Sequence, residues 1–211
     1  MEGELLEQSL NNPSTFTHVD DRDAHALYRT LHQDKQAFGE IVQSYTPVFY
    51  SLLRRLSPDR SIESIEDDLQ EIFLRIYRAL ATYKSDRSFF SWAYTIAMNW
   101  IRSKRRKLYA GRTSTTVSYD EDIKILQGKA YSESPEDVAI SVEAERLLLK
   151  ALRELRPAYR EVFVLRMMQH LSVQDTAHVL HIPGGTVKTH LHRARKALQD
   201  WFSEHRWELK Y

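Results

Sequence analysis

Leu171 to Leu198 reads LSVQDTAHVLHIPGGTVKTHLHRARKAL, two short helical patterns separated by a turn. A helix-turn-helix needs a small residue where its helices cross, a tight turn shortly after it, and an apolar anchor early in the second helix. Ala177, His181 and Val187 occupy those places. Val187, Leu191, Ala194 and Leu198 then recur in steps of four, three and four, the stripe by which an amphipathic helix is buried. The opposite face carries Lys188, Thr189, His192, Arg193 and Lys196, whose long cationic and hydroxyl side chains can reach base edges and phosphates in a major groove. Alone, such a face would more simply be the solvated side of a surface helix. Here the preceding helix, the turn and an acid-free basic face coincide, and the reading is DNA binding.

The rest of the chain fits the same class. Its periodic segments repeat at helical spacing, and six glycines and six prolines in 211 residues leave little for hairpin turns, so the expected fold is all-α. Two small helical domains are expected: a polar N-terminal tail over 1–24, a first domain over 25–107, a flexible linker over 108–133, and a second domain over 134–207. Gly111, the Thr113 to Thr116 run and Gly128 mark the linker, and Ser134-Pro135-Glu136-Asp137 marks a helix start with Ser134 as N-cap. In the first domain, Leu69, Ile72, Phe73, Ile76, Tyr77 and Leu80 fall on one helical face. A basic helix follows, with an apolar stripe of Trp92, Ala93, Ile96, Ala97, Trp100 and Ile101.

Formal net charge is only +1, so nucleic-acid affinity has to come from local segregation of charge. From Glu63 to Glu71 there are five acids and no bases, and from Lys84 to Lys107 seven bases against Asp86 alone. Val117 to Glu145 is acidic again, whereas Thr186 to Lys196 carries four unopposed bases. The absence of cysteine excludes disulfides, thiolate catalysis and cysteine-ligated zinc. His170, His178, His181, His190 and His192 crowd one region, but they offer one i, i+3 pair with only Asp175 nearby and read as surface or DNA-facing rather than metal-binding. No cofactor is expected. The N-terminus is polar and no apolar run spans a bilayer, which places the chain in the cytoplasm without membrane insertion.

Ala151 to Leu198 closely resembles region 4 of the extracytoplasmic-function sigma factors, GGTVKTHLHRARKAL being its most specific block. DKQAFGEIVQSYTPVFYSLLRRL from Asp34 resembles region 2.1, DDLQEIFLRIYRAL at Asp67 to Leu80 region 2.2, and FFSWAYTIAMNWIRSKRRK at Phe89 to Lys107 regions 2.3 and 2.4. Together these cover about two thirds of the chain, in the family order. The resemblance implies a non-enzymatic subunit that binds core RNA polymerase, region 2 on the β′ clamp helices and region 4 on the β flap, and directs it to promoter DNA. It also implies an anti-sigma factor as partner. Carried onto this sequence, the polymerase-binding residues are Asp67, Asp68, Gln70, Glu71, Phe73 and Leu74.

The minus-10 element would be opened by the loop from Tyr83 to Phe89, with Tyr83, Lys84, Arg87 and Phe89, and by Asn99, Arg102, Lys104, Arg105 and Arg106 of the basic helix. Unpaired bases need aromatic surfaces, and Trp92, Tyr94 and Trp100 lie nearby, although Trp92 and Trp100 lie on the apolar stripe and read more simply as core. The minus-35 element would be read by Thr186, Lys188, Thr189, His190, His192, Arg193 and Lys196. The family usually has glycine at His181, where the turn needs a left-handed backbone, often arginine at His190, and often an acid at Ser103. Two competing readings stay open on the residues alone. The acids Glu63 to Glu71 could form a metal-dependent nuclease site, and the helix-turn-helix could belong to a repressor that binds promoters without polymerase.

Overall fold

The computed structural model describes residues 29–30, 35–83, 88–110 and 135–205. The expected N-terminal tail, nearly all of the linker, Lys84, Arg87, Ser134 and the end of the expected second domain at 206–207 lie outside the described residues. Among the described residues the α-helices with both ends described follow in the order α1 Lys35–Leu56, α2 Ile62–Ala79, α3 Phe89–Ala110, α4 Pro135–Glu154, α5 Pro157–Phe163, α6 Val173–Leu180 and α7 Gly184–Glu204. A 3-10 turn at Leu80–Thr82 ends α2, and a π-helical turn at Val164–Met168 extends α5. No strand occurs among the described residues, and the all-α expectation holds.

Two compact units divide the chain, one of Met1–Phe49 with Asp67–Thr113 and another of Tyr50–Glu66 with Ser114–Tyr211. The division runs through α1 and α2, so the turn that joins these helices counts with the second unit. In that turn Ser61 Oγ accepts a 3.4 Å hydrogen bond from the Ser64 amide and starts α2. Glu63 in its first turn is held below the usual carboxylate range by its backbone hydrogen bond and by Ser61.

The first unit is cemented by aromatic rings. Phe49 meets Phe73 at 5.6 Å and Tyr94 at 5.5 Å, both edge-on, while Tyr45 packs against Phe89 at 5.5 Å. The buried face of α3 is Phe89, Ala93, Tyr94, Ala97, Met98 and Ile101. It is therefore rotated from the expected stripe: Trp92, Ile96 and Trp100 are only half-buried, and Tyr94 is sealed. The rotation follows from the partners, because α1 presents the Phe49 ring, which packs edge-on against Tyr94. Burial also pushes the Tyr94 phenol far above its ordinary value, so this ring belongs to the core and is closed to bases.

In the second unit α7 packs on α5 and α6. Val187, Ala194 and Leu198 are buried as expected, and Leu191 is half-buried. Each fully buried aliphatic side chain contributes about 1.5–3 kcal/mol. Ser172 caps α6, its Oγ accepting from the Asp175 amide at 3.0 Å. His181 ends α6 at φ 54° and ψ 45°, the left-handed conformation expected of the turn position. Thr176, Val179 and Leu180 are buried in α6, and Ala177, the small residue expected at the helix crossing, is half-buried.

Candidate nucleic-acid interface

On α7 the buried and exposed faces separate cleanly. Lys188, Thr189, His192, Arg193 and Lys196 are exposed, and Thr186 and His190 are half-buried. The face is braced from α5. Arg193 Nη1 donates to Tyr159 Oη at 3.1 Å, and the His190 ring lies 5.1 Å from the Tyr159 ring. The guanidinium contact holds the Tyr159 phenol below its ordinary value. The sequence does not single out Tyr159, since nothing local in Pro157–Phe163 marks a residue that meets α7. His178 and His181 approach each other with ring centroids 6.0 Å apart, and no three metal-ligating side chains converge among the described residues.

A second surface lies in the first unit, where α1 and α2 border an apolar groove. Phe38, Val42, Leu69, Phe73, Leu74 and Tyr77 line it. Leu74 and Tyr77 are 42% and 40% exposed, the large hydrophobic side chains of α2 that the unit leaves in solvent. Asp67 and Gln70 are exposed beside the groove and Glu71 half-exposed, its carboxylate 2.7 Å from Arg75 Nε.

Two of the expected polymerase contacts face inward. Phe73 is 7% exposed and forms the groove floor, and Asp68 is 3% exposed and bonded to α3, so neither offers a surface side chain. The minus-10 candidates divide similarly. Tyr83 and Phe89 are 4% and 1% exposed, with ring centroids 5.6 Å apart, and Tyr83 also packs on Trp92. Both rings are packed inside the unit. Asn99 and Arg106 are exposed, and Arg102, Lys104 and Arg105 half-exposed, along the basic end of α3.

The two units, one a helix-turn-helix with a basic outer face and the other pairing an apolar groove with a basic helix, correspond to regions 4 and 2 of the sigma-70-type transcription initiation factors. Residues 41–110 match the family described as Sigma-70 region 2, and residues 145–198 match Sigma-70, region 4. The chain is 33% identical over 171 residues to the ECF RNA polymerase sigma factor SigW of Bacillus subtilis, covering 79% of this chain and 89% of that one. It is 30% identical to the ECF RNA polymerase sigma-E factor of Escherichia coli, covering 79% and 87% of the two chains. The RNA polymerase sigma-H factor of Pseudomonas aeruginosa is likewise 30% identical, with 84% and 92% covered. The chain belongs to the extracytoplasmic-function sigma factors. The fold is similar to that of CnrH in complex with the cytosolic domain of CnrY, at a TM-score of 0.63 and 22% identity over 87% of this chain and 99% of that one. It is also similar to the sigma factor RpoE in complex with the anti-sigma factor NepR from Bartonella quintana, at 0.60 and 22% over 79% and 96%.

Sigma factors are non-catalytic subunits that bind core RNA polymerase and promoter DNA, so the nuclease alternative falls away. Among the described residues no helix is long and apolar enough to cross a membrane.

Proposed function

We propose that this chain works in the cytoplasm, binding core RNA polymerase through the α1–α2 groove and directing promoter-specific initiation with α7 on the minus-35 element and α3 on the minus-10 element. The domain plan that goes with it is region 2 over 25–107 and region 4 over 134–207, joined by the linker at 108–133. The observation that carries the reading is the division of α7, with Val187, Ala194 and Leu198 buried and Lys188, Thr189, His192, Arg193 and Lys196 exposed. A helix so divided offers cations and hydroxyls to a groove while its fold is held from behind.

For docking, Leu74 and Tyr77 supply apolar anchors, and Asp67, Gln70 and Glu71 supply a polar and acidic rim for a basic partner helix, the β′ clamp. Region 4 would meet the β flap. For the minus-10 element, Asn99, Arg102, Arg105 and Arg106 would follow the displaced strand. The segment from Tyr83 to Phe89, which includes Lys84 and Arg87, would capture an unstacked base, with the rings of Tyr83 and Phe89 as buried anchors of its ends. A cognate anti-sigma factor is part of the proposal, supported by family membership.

Run-off transcription on a genomic library, with core polymerase and this protein together and apart, tests the reading. Discrete new start sites should appear only with both present. Equal promoter binding by the protein without polymerase, and no new transcripts with it, would favour the repressor reading and overturn this one.

A further inference from the structure

Asp68 belongs by charge to the acidic run of α2 but by position to its buried stripe. It stands three residues after Ile65 and four before Ile72, both fully buried, and is itself 3% exposed. Its Oδ1 accepts a 3.2 Å hydrogen bond from Trp100 Nε1 and is ion-paired with Lys104 Nζ, both from α3. The Trp100 ring is in turn covered by Arg75, whose guanidinium carbon lies 4.4 Å from the ring centroid, and Lys104 Nζ lies 5.7 Å from the same point. One end of this arrangement is sealed and the other open: the Asp68 side chain is 4% exposed and that of Lys104 29%. An ammonium at the edge of a DNA-facing helix is therefore already neutralised from inside the fold.

We propose that Asp68 is a positioning residue that withholds Lys104 from nucleic-acid phosphate, so that α3 offers one cation fewer to DNA of any sequence. The proposal rests on the reading of α3 as the strand-facing helix. Sequence-independent affinity grows with the number of phosphates a protein neutralises, and a run of Arg102, Lys104, Arg105, Arg106 and Lys107 would hold polymerase on any DNA. Pairing one cation internally reduces that term, while the indole bond to the same carboxylate keeps α3 in register on α2.

The test is the salt dependence of holoenzyme binding to a random-sequence single-stranded oligonucleotide, with full-length protein on core polymerase. Asp68→Asn keeps an oxygen that accepts from Trp100 but removes the negative charge that neutralises Lys104, and should steepen the slope of log affinity against log salt by about 0.7, one phosphate on single-stranded DNA. Adding Lys104→Met should return the slope to wild type, and Lys104→Met alone should leave it unchanged. A merely structural role for Asp68 would alter helicity or core recovery but not the slope.

An unchanged slope in folded Asp68→Asn overturns the proposal, as does a loss of about 0.7 in Lys104→Met alone, which would put Lys104 on phosphate already. A loss of slope in folded Lys104→Met overturns the proposal even where Asp68→Asn fails to fold. Arg105→Ala with Arg106→Ala separates the two layers of the argument. If that pair leaves the slope unchanged, the reading of α3 fails and the proposal with it; if the pair flattens the slope while Asp68→Asn does nothing, the proposal alone fails.

Discussion

Arg193 of α7 donates a hydrogen bond to the phenolic oxygen of Tyr159 on α5, at 3.1 Å. The two residues are 34 positions apart, and the bond fixes a long side chain that would otherwise sample many rotamers on an exposed face. Tyr159→Phe should therefore weaken minus-35-dependent transcription without unfolding the unit. The bond is exposed to solvent, which screens it, so the loss should be modest. Run-off assays on one promoter with an intact and a scrambled minus-35 element would check this, the difference between them shrinking in the variant.

Lys188 occupies the same face one turn nearer the start of α7 and is exposed. Lys188→Ala should leave thermal stability within about 0.5 kcal/mol of wild type. It should cost about 1–3 kcal/mol of promoter affinity if the ammonium reads bases, and less if it meets only phosphate. Competition between promoter variants distinguishes the two: a base contact changes selectivity, whereas a phosphate contact weakens all sequences alike.

Leu74 projects into solvent at the rim of the α1–α2 groove, 42% exposed, so Leu74→Ala removes little from the core of its own unit. Its loss should show instead in co-purification with core polymerase, weakened by roughly 1–2 kcal/mol for an apolar anchor of this size. Asp67→Lys beside it should weaken recovery further, and more at low salt than at high. Wild-type recovery of both variants would mean that this face is only solvated.

Phe89 is 1% exposed between Tyr45, Tyr83 and Trp92. Phe89→Ala should accordingly lower the stability of the first unit by about 3–5 kcal/mol, measured by denaturant titration of the free protein. A base-capturing ring would behave in the opposite way, with stability kept and promoter opening lost.

His181 ends α6 with a left-handed backbone, φ 54°, and its side chain is exposed. Glycine adopts that conformation without the steric cost a side chain carries, about 1 kcal/mol, and little packing is lost. His181→Gly should raise the melting temperature of the full-length protein. A decrease would show that the imidazole contributes more than the backbone costs.

What the sequence determined by itself was everything that depends on neighbours along the chain. Helical period placed Val187, Ala194 and Leu198 inside and Lys188, Arg193 and Lys196 outside, and the turn at His181 demanded a left-handed residue. These are short-range effects, each settled within about two helical turns. Tertiary structure decided what depends on pairing between distant segments. Counting charge along α2 made Asp68 one more member of an acidic face, although the positions of Ile65 and Ile72 already aligned it with the buried stripe. That a carboxylate can stay there follows only from Lys104 and Trp100, brought from α3 some thirty-odd residues later. Likewise the rotation of α3 onto Tyr94 and Met98, and the bracing of Arg193 by Tyr159, were set by which surfaces the partner helices present. An amphipathic pattern defines a buried side only to within the width of its apolar arc, and the packed neighbours choose its centre.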